Sequence, residues 1–445
     1  MSSKPASARP RAPHRRAIHA DLLDFRADPL HDTADPSGRG AVRFIPDGWL
    51  LIEDGLTVDV LEAGQAPGPD WSRDDRRGHL VCPGFIDTHV HSGQLDVVAS
   101  HGATLLQWLE QYTFPNEMRF ADPAFARAES EAFCDALLAH GTTTAVVFPT
   151  RHACSVDALF EAAGRRDMCL IGGKVLMDRH GPEALLDGAD HGETESRALI
   201  RRWHEHQRLH YAITPRFAPT SSDAQLALAG RLLAEADTLY MQTHVAETEE
   251  EVAWVAKLFP ADRSYLSVYD RHGLLGPRSV FAHGIWLDDQ DHAMLVDRGG
   301  SVAFSPSSNM FLGSGLLNVA RLDQAGVPVS LASDVGGGTH LNMLRVMADA
   351  ARVMALTGQK LTAYRGLYLA TLGAARTLAL DGAIGSLAPG RHADLTVLRW
   401  STDAVSERRQ RRATSLHERL FALMMLGDTA NVVATYVRGR CFERA

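Results

Sequence analysis

A chain of 445 residues, 45% hydrophobic and 22% charged, has enough apolar material for a large core and the balance of a soluble globular protein. Its formal net charge of −9 gives no default attraction to nucleic acid or an anionic membrane, and no apolar run reaches the roughly 18–20 residues that span a bilayer. Five scattered cysteines with no C-x-x-C pair fit a reducing, cytoplasmic setting and argue against a disulfide framework or a cysteine zinc site.

In chain order, residues 1–16 are rich in Arg, Pro and Ser, with no signal-peptide apolar stretch behind them, and are expected to form a disordered arm. "AVRFIPDGWLLIEDGLTVDVLEAG" then reads as strands and turns. From about residue 79 to 336 come eight short β-branched or apolar runs, each ending in polar residues. Amphipathic stretches separate them. "DPAFARAESEAFCDALLAHG" predicts a helix with Asp122 as N-cap, Pro123 in the first turn and Gly141 just past the end. "TEEEVAWVAKLF" and "THLNMLRVMADAARVMAL" predict two more. "GRHADLTVLRW" and "TANVVATYVRGRCF" near the C-terminus again read as strands.

Strands alternating with helices imply parallel pairing through crossovers, and eight units imply a (β/α)8 barrel, an α/β fold. No G-x-G-x-x-G follows a strand to favour an open dinucleotide-binding sheet. Neither chain end has enough for its own core, so the two are expected to join in one small β domain. The expected organisation is an arm over 1–16, a composite β-sandwich domain from 17–78 and 385–445, and a distorted barrel over 79–384.

The polar residues at the ends of the runs share one property. Strand ends of a barrel converge on one mouth, where active sites lie. The first run ends in Asp87, His89 and His91, with Gln94 beyond; later runs carry Arg216, His244 with Glu247, His283 and Asp334. A lone histidine at a strand end is usually structural, and with 21 His in the chain some adjacency arises by chance. Joint placement at run ends separates this set from "WHEHQRLH" (His204, His206, His210), read as a solvated helix end, and from His140, His152, His180, His191 and His272, read as loop or surface residues. His89, His91 and His244 with Asp334 are ligands that suit zinc, which lowers the pKa of a bound water towards ~7. Arg216 and Gln94 gain interest only from sharing that mouth. By default Trp108 is a core aromatic and Glu247 a surface charge.

These residues resemble the metal pattern of the amidohydrolase superfamily, whose barrels carry a β domain built from both chain ends. "YAITPRFAP" has no Lys where two-metal members carry a bridging one, and "HVAE" is similar to the deaminase branch. "PGFIDTHVH", "YTFPNEMRF", "TPRF", "QTHVAETEEEVAWV", "FAHGIWL" and "SDVGGGT" together resemble the guanine deaminases. The chain departs from their pattern at Ser92, Gly93, Thr248, Phe304, Ser305, His340 and Leu341 without losing a ligand.

The resemblance implies one zinc per chain on His89, His91, His244 and Asp334. It also implies that Asp334 takes a proton from the attacking water, that His283 polarises that water, and that Glu247 carries protons to the purine ring and the leaving amine. Gln94 and Arg216 would hold the purine edge, and Phe217 and Trp108 would pack near the ring. Hydrolysis at C2 of guanine would give xanthine and ammonia, in a homodimer. The alternatives are an aminohydrolase acting on another keto-purine, pterin, cytosine or triazine ring, and a metal-free barrel used for binding or assembly. The H-x-E with P-C-x-x-C of the unrelated zinc deaminases is absent, as is a basic strip with aromatics, which argues against a nucleic-acid substrate.

Overall fold

The computed structural model describes residues 14–34, 40–102 and 104–443. Eight parallel strands follow one another around a barrel in sequence order: Phe85–His91, Thr142–Phe148, Cys169–Gly172, Leu209–Pro215, Tyr240–Val245, Ser279–His283, Ser301–Phe304 and Val329–Leu331. The short strand Val175–Leu176 continues the third and pairs with the fourth. Just past the eighth strand, Asp334 N–H donates to His89 O (2.9 Å) and His91 N–H to Val335 O (2.7 Å), which draws the first and last strands together. Below the mouth the barrel is filled, not hollow. Each of the eight strand positions contributes one buried side chain to an inner layer: Ile86, Val146, Ile171, Ala212, Tyr240, Val280, Ala303 and Ala332.

The predicted helices form where their caps stand. Pro123–Ala139 starts at Asp122, whose carboxylate accepts from Ala124 N–H, and Gly141 behind it takes φ +84°. Glu249–Leu258 opens on a Thr248/Glu251 capping box, and Met343–Leu356 on Asn342.

Both chain ends meet in one seven-stranded mixed sheet, ordered Arg440–Glu443, Val432–Val437, Leu395–Arg399, Ser72–Pro83, Arg15–Phe25, Val42–Glu53, Leu56–Leu61. A bulge between Ala20 and Leu22 re-aims the side chains of the long first strand. The sheet has an apolar core of its own, including Ile18, Leu50, Val81, Leu395, Val397 and Tyr436.

Three details differ from expectation. The sheet begins at Arg15, within the expected arm; residues 1–13 lie outside the described residues. The run His79–His91 is two strands, because residues up to Pro83 pair with Leu395–Arg399 while those from Phe85 pair with Thr142–Phe148. Gly84 makes the junction: a Cβ there would sit 2.2 Å from Thr143 Oγ1. The C-terminal segment is also not all strand. Helices Ala404–Arg412 and Leu416–Leu426 lie between its strands, and Leu416, Leu420, Leu423 and Met424 bury against the barrel's outer helices.

Between the two pieces of the third strand lies Lys174, wholly buried. Its ammonium pairs with Asp187 and, at 3.3 Å, with Glu195, while Arg151 holds the other Asp187 oxygen at 2.8 Å. Lys174→Ala is expected to destabilise the fold by about 3–5 kcal/mol, because it strands buried carboxylate charge. The shift in urea midpoint measures it; an unchanged midpoint would contradict it.

Candidate active site

Alternation along a strand puts residues i and i+2 on one face. The first barrel strand therefore aims His89 and His91 into the same mouth. There His89 Nε2 lies 3.1 Å and His91 Nε2 3.3 Å from Asp334 Oδ1, and His91 Nε2 lies 3.3 Å from His244 Nε2. His244 and His283 stack with ring centroids 5.5 Å apart. His283 (φ +71°) and Asp334 (φ +49°) both hold left-handed backbone, which is uncommon for residues with side chains and tends to collect at functional sites.

The rings are held from behind. His244 Nδ1 pairs with Arg216 O at 2.8 Å and His283 Nδ1 with Asn309 Oδ1 at 2.9 Å. A proton on each Nδ1 leaves each Nε2 as a lone pair facing the centre. Burial, reinforced by the neighbouring imidazoles, pushes His244 well below the ordinary histidine range. Burial likewise lowers His89 to about 4, against the opposing pull of Asp334. Burial opposes ionisation of Asp334, but His89 and His91 outweigh it and hold the carboxyl well below its usual range.

This donor set fits a divalent metal. His89 Nε2 and His283 Nε2 are, among the described residues, buried nitrogens with no hydrogen-bond partner, and neutral imidazoles with an ionised carboxylate are what a zinc site requires. Among the described residues His89, His244, His283 and Asp334 form one group whose ligand atoms lie within 4.8 Å of one another. His91 stands beside that group, and its short approaches to Asp334 and His244 keep it a competing ligand.

Glu247 lies across from the ring. Its Oε2 is 3.4 Å from His283 Nε2, and its Oε1 accepts from Ser314 Oγ at 2.7 Å. Burial, joined by the charge of Asp334, raises its pKa, while His283 and Ser314 pull the other way. Burial lowers the His283 imidazole, yet Glu247 and Asp334 outweigh burial and leave it raised. Behind Glu247, Glu251 accepts from the Glu247 N–H (3.0 Å) and from Tyr265 OH (2.5 Å); burial and the Glu247 charge push it up to about 7.

A pocket opens from this ring. Gln94, Trp108, Arg216, Phe217 and Leu312 line it together with His91, His244, Glu247, His283 and Asp334. Of the eleven expected site residues, all but His89 and Asp87 line this pocket, and His89 belongs to the histidine–aspartate ring beside it. Asp87 does not touch the ring of His89. Its carboxylate accepts from the His89 N–H (3.3 Å), the Ser333 N–H (3.0 Å) and Ser333 Oγ (2.5 Å), tying the first strand to the residue before Asp334. Burial raises it to about 7.

A family model described as "Amidohydrolase family" matches residues 80–441. The chain belongs to the amidohydrolase family. This amidohydrolase is 46% identical to the guanine deaminase of Escherichia coli over 408 residues, 91% of this chain and 93% of that one. The solved structure of the E. coli guanine deaminase superposes with a TM-score of 0.90 at 42% identity, covering 97% of this chain and 99% of that one. A guanine deaminase from C. acetobutylicum with guanine bound in its active site superposes at 0.86 with 25% identity, covering 96% and 100%.

Sequence reasoning missed several residues of the amidohydrolase site. Glu117, buried, bridges Arg216 and Gln94; it lies in the quoted "YTFPNEMRF" stretch, which held the signal without naming the residue. Asn309 and Ser314 follow the seventh strand in a polar segment with no period to mark them. His210 is no surface residue: it sits half-buried in the fourth barrel strand, and His204, half-buried, accepts from the Tyr211 N–H at 3.1 Å. A second acidic group, Asp187, His191 and Glu195, has ligand atoms within 4.8 Å of one another, but Lys174 already supplies its cation.

Proposed function

We propose that this amidohydrolase catalyses zinc-dependent hydrolytic deamination of guanine to xanthine and ammonia. The observation that carries the reading is a buried carboxylic acid, Glu247, set between a histidine–aspartate ring and a pocket that ends in Arg216 and Gln94. The guanine deaminases to which the chain is similar support it.

In this reading His89, His91, His244 and Asp334 would hold one zinc per chain, which would supply a water of lowered pKa, towards ~7, as nucleophile at neutral pH. Asp334 would take the proton of the attacking water. The Nε2 lone pair of His283, fixed by Asn309, orients the water for attack on C2 of the purine. Glu247, whose pKa burial raises, would deliver a proton to a ring nitrogen as the tetrahedral centre forms, regain one from the new C2 hydroxyl and pass it to the departing amine, after which the proton taken up by Asp334 restores the acid form of Glu247. Arg216 and Gln94 hold the oxo side of the ring, where charge grows during attack. Trp108 and Phe217 exclude water from its faces. The reaction consumes one water, breaks the C2–N bond and releases ammonia and xanthine.

The test is ammonia release from guanine before and after chelation. The untreated protein is expected to turn over guanine, to lose activity with a chelator and to regain it with added zinc. Turnover that ignores chelation, or slow guanine turnover beside fast turnover of a pterin, cytosine or triazine, would overturn the reading. A homodimer in the cytoplasm, acting on free base and on neither nucleic acid nor membrane, completes it. No helix among the described residues is long and apolar enough to cross a membrane.

A further inference from the structure

The buried carboxylate of Glu117 touches no ligand of the metal ring. One oxygen, Oε2, accepts from Arg216 Nη1 at 2.8 Å; the other, Oε1, accepts from Gln94 Nε2 at 3.0 Å. The Arg216 and Glu117 side chains are 3% and 2% exposed. On the far side of the Gln94 amide, the Gly336 N–H donates to Oε1 at 3.3 Å. The guanidinium also lies over the Phe114 ring, 5.2 Å from its centroid.

An ionised carboxylate only accepts and a backbone N–H only donates. Between them, the Gln94 amide has one orientation. Without Glu117 it could flip and offer the pocket either its oxygen or its nitrogen. Arg216, tied by one nitrogen, keeps its remaining N–H groups as donors. The ion pair also offsets the Arg216 charge at a buried position, which suits a neutral ring.

We propose that Glu117 is a positioning residue that locks Gln94 and Arg216 as hydrogen-bond donors and so makes the site prefer a ring oxo group to a ring amino group. The inference rests on the guanine reading above. A purine with an oxo substituent at C6 meets donors there; one with an amino substituent presents its own N–H to them and loses the bond. Sites built on buried donors reject such analogues strongly, because the donors are left unpaired.

The isosteric Glu117→Gln variant tests this. One amide oxygen can accept from Gln94 or from Arg216, not from both, and the shape is kept. Two quantities are read: KM for guanine, and the inhibition constant of 2,6-diaminopurine, which differs from guanine by an amino group at C6. In the variant, guanine KM is expected to rise at least about tenfold, since hydrogen bonds to charged groups carry that much. The diaminopurine constant should stay level or fall, so that their ratio collapses. Glu117→Asp, which keeps the charge but is one methylene short, should fall between, and it carries the same test if Glu117→Gln does not fold. Zinc content should match the unaltered protein in both. An unchanged guanine KM, or both constants rising together, would overturn the inference. Failure of the unaltered protein to turn over guanine would instead overturn the functional reading, and the inference with it.

Discussion

Glu247→Gln is expected to lower guanine turnover by about 10²- to 10⁴-fold while leaving zinc content unchanged, the range associated with loss of a positioned general acid–base group. The substitution is close to isosteric in this setting. The amide oxygen can still accept from Ser314 Oγ, which now donates to Oε1 at 2.7 Å. That choice puts the amide nitrogen where Oε2 stands, facing the Nε2 lone pair of His283 at 3.4 Å. Packing and the imidazole ring survive; what disappears is a group that can hold a proton and give it up. Burial has raised the pKa of Glu247, which favours its acid form over that of an ordinary exposed glutamate. Ammonia release and metal analysis on the same preparation check the expectation. Turnover within about twofold of the unaltered protein would remove Glu247 from the proton path.

The residues legible in the sequence were those tied to the barrel's period. His89, His91, His244, His283 and Asp334 each sit at or just beyond a strand end, and strand ends show as the edges of apolar runs. The residues that hold the site in place were not legible. Asn309 in the short helix Pro306–Phe311 holds His283, Ser314 in the loop behind it holds Glu247, and Glu117 in the short helix Phe114–Met118 holds Arg216; these contacts are decided by how the chain returns over the mouth. The same limit explains Asp87. Its partner, Ser333, comes from the far end of the barrel and meets it only when the first and last strands close. In the C-terminal segment, helix Ala404–Arg412 buries only Ser406, so it had no apolar stripe to announce it.

The ligand set is the point on which the sequence pattern and the geometry diverge, and two variants separate them. His91→Ala is expected to lower zinc affinity by at least ~10–100-fold, since a direct ligand should matter no less than the outer partners for which such losses are usual, and turnover should recover in part with excess zinc. His283→Ala is expected to keep its zinc and still lose about 10²- to 10⁴-fold in turnover, with no recovery on adding metal. The physical ground lies in the partners of each ring. His283 Nε2 stands 3.4 Å from Glu247 and 3.7 Å from the far oxygen of Asp334, on the Glu247 side of the ring, where its lone pair suits orienting water more than binding the metal. His91 Nε2 stands instead at 3.3 Å from both His244 Nε2 and the near oxygen of Asp334, the oxygen that His89 also approaches. Zinc loss in His283→Ala with retention in His91→Ala would exchange the roles of the two histidines.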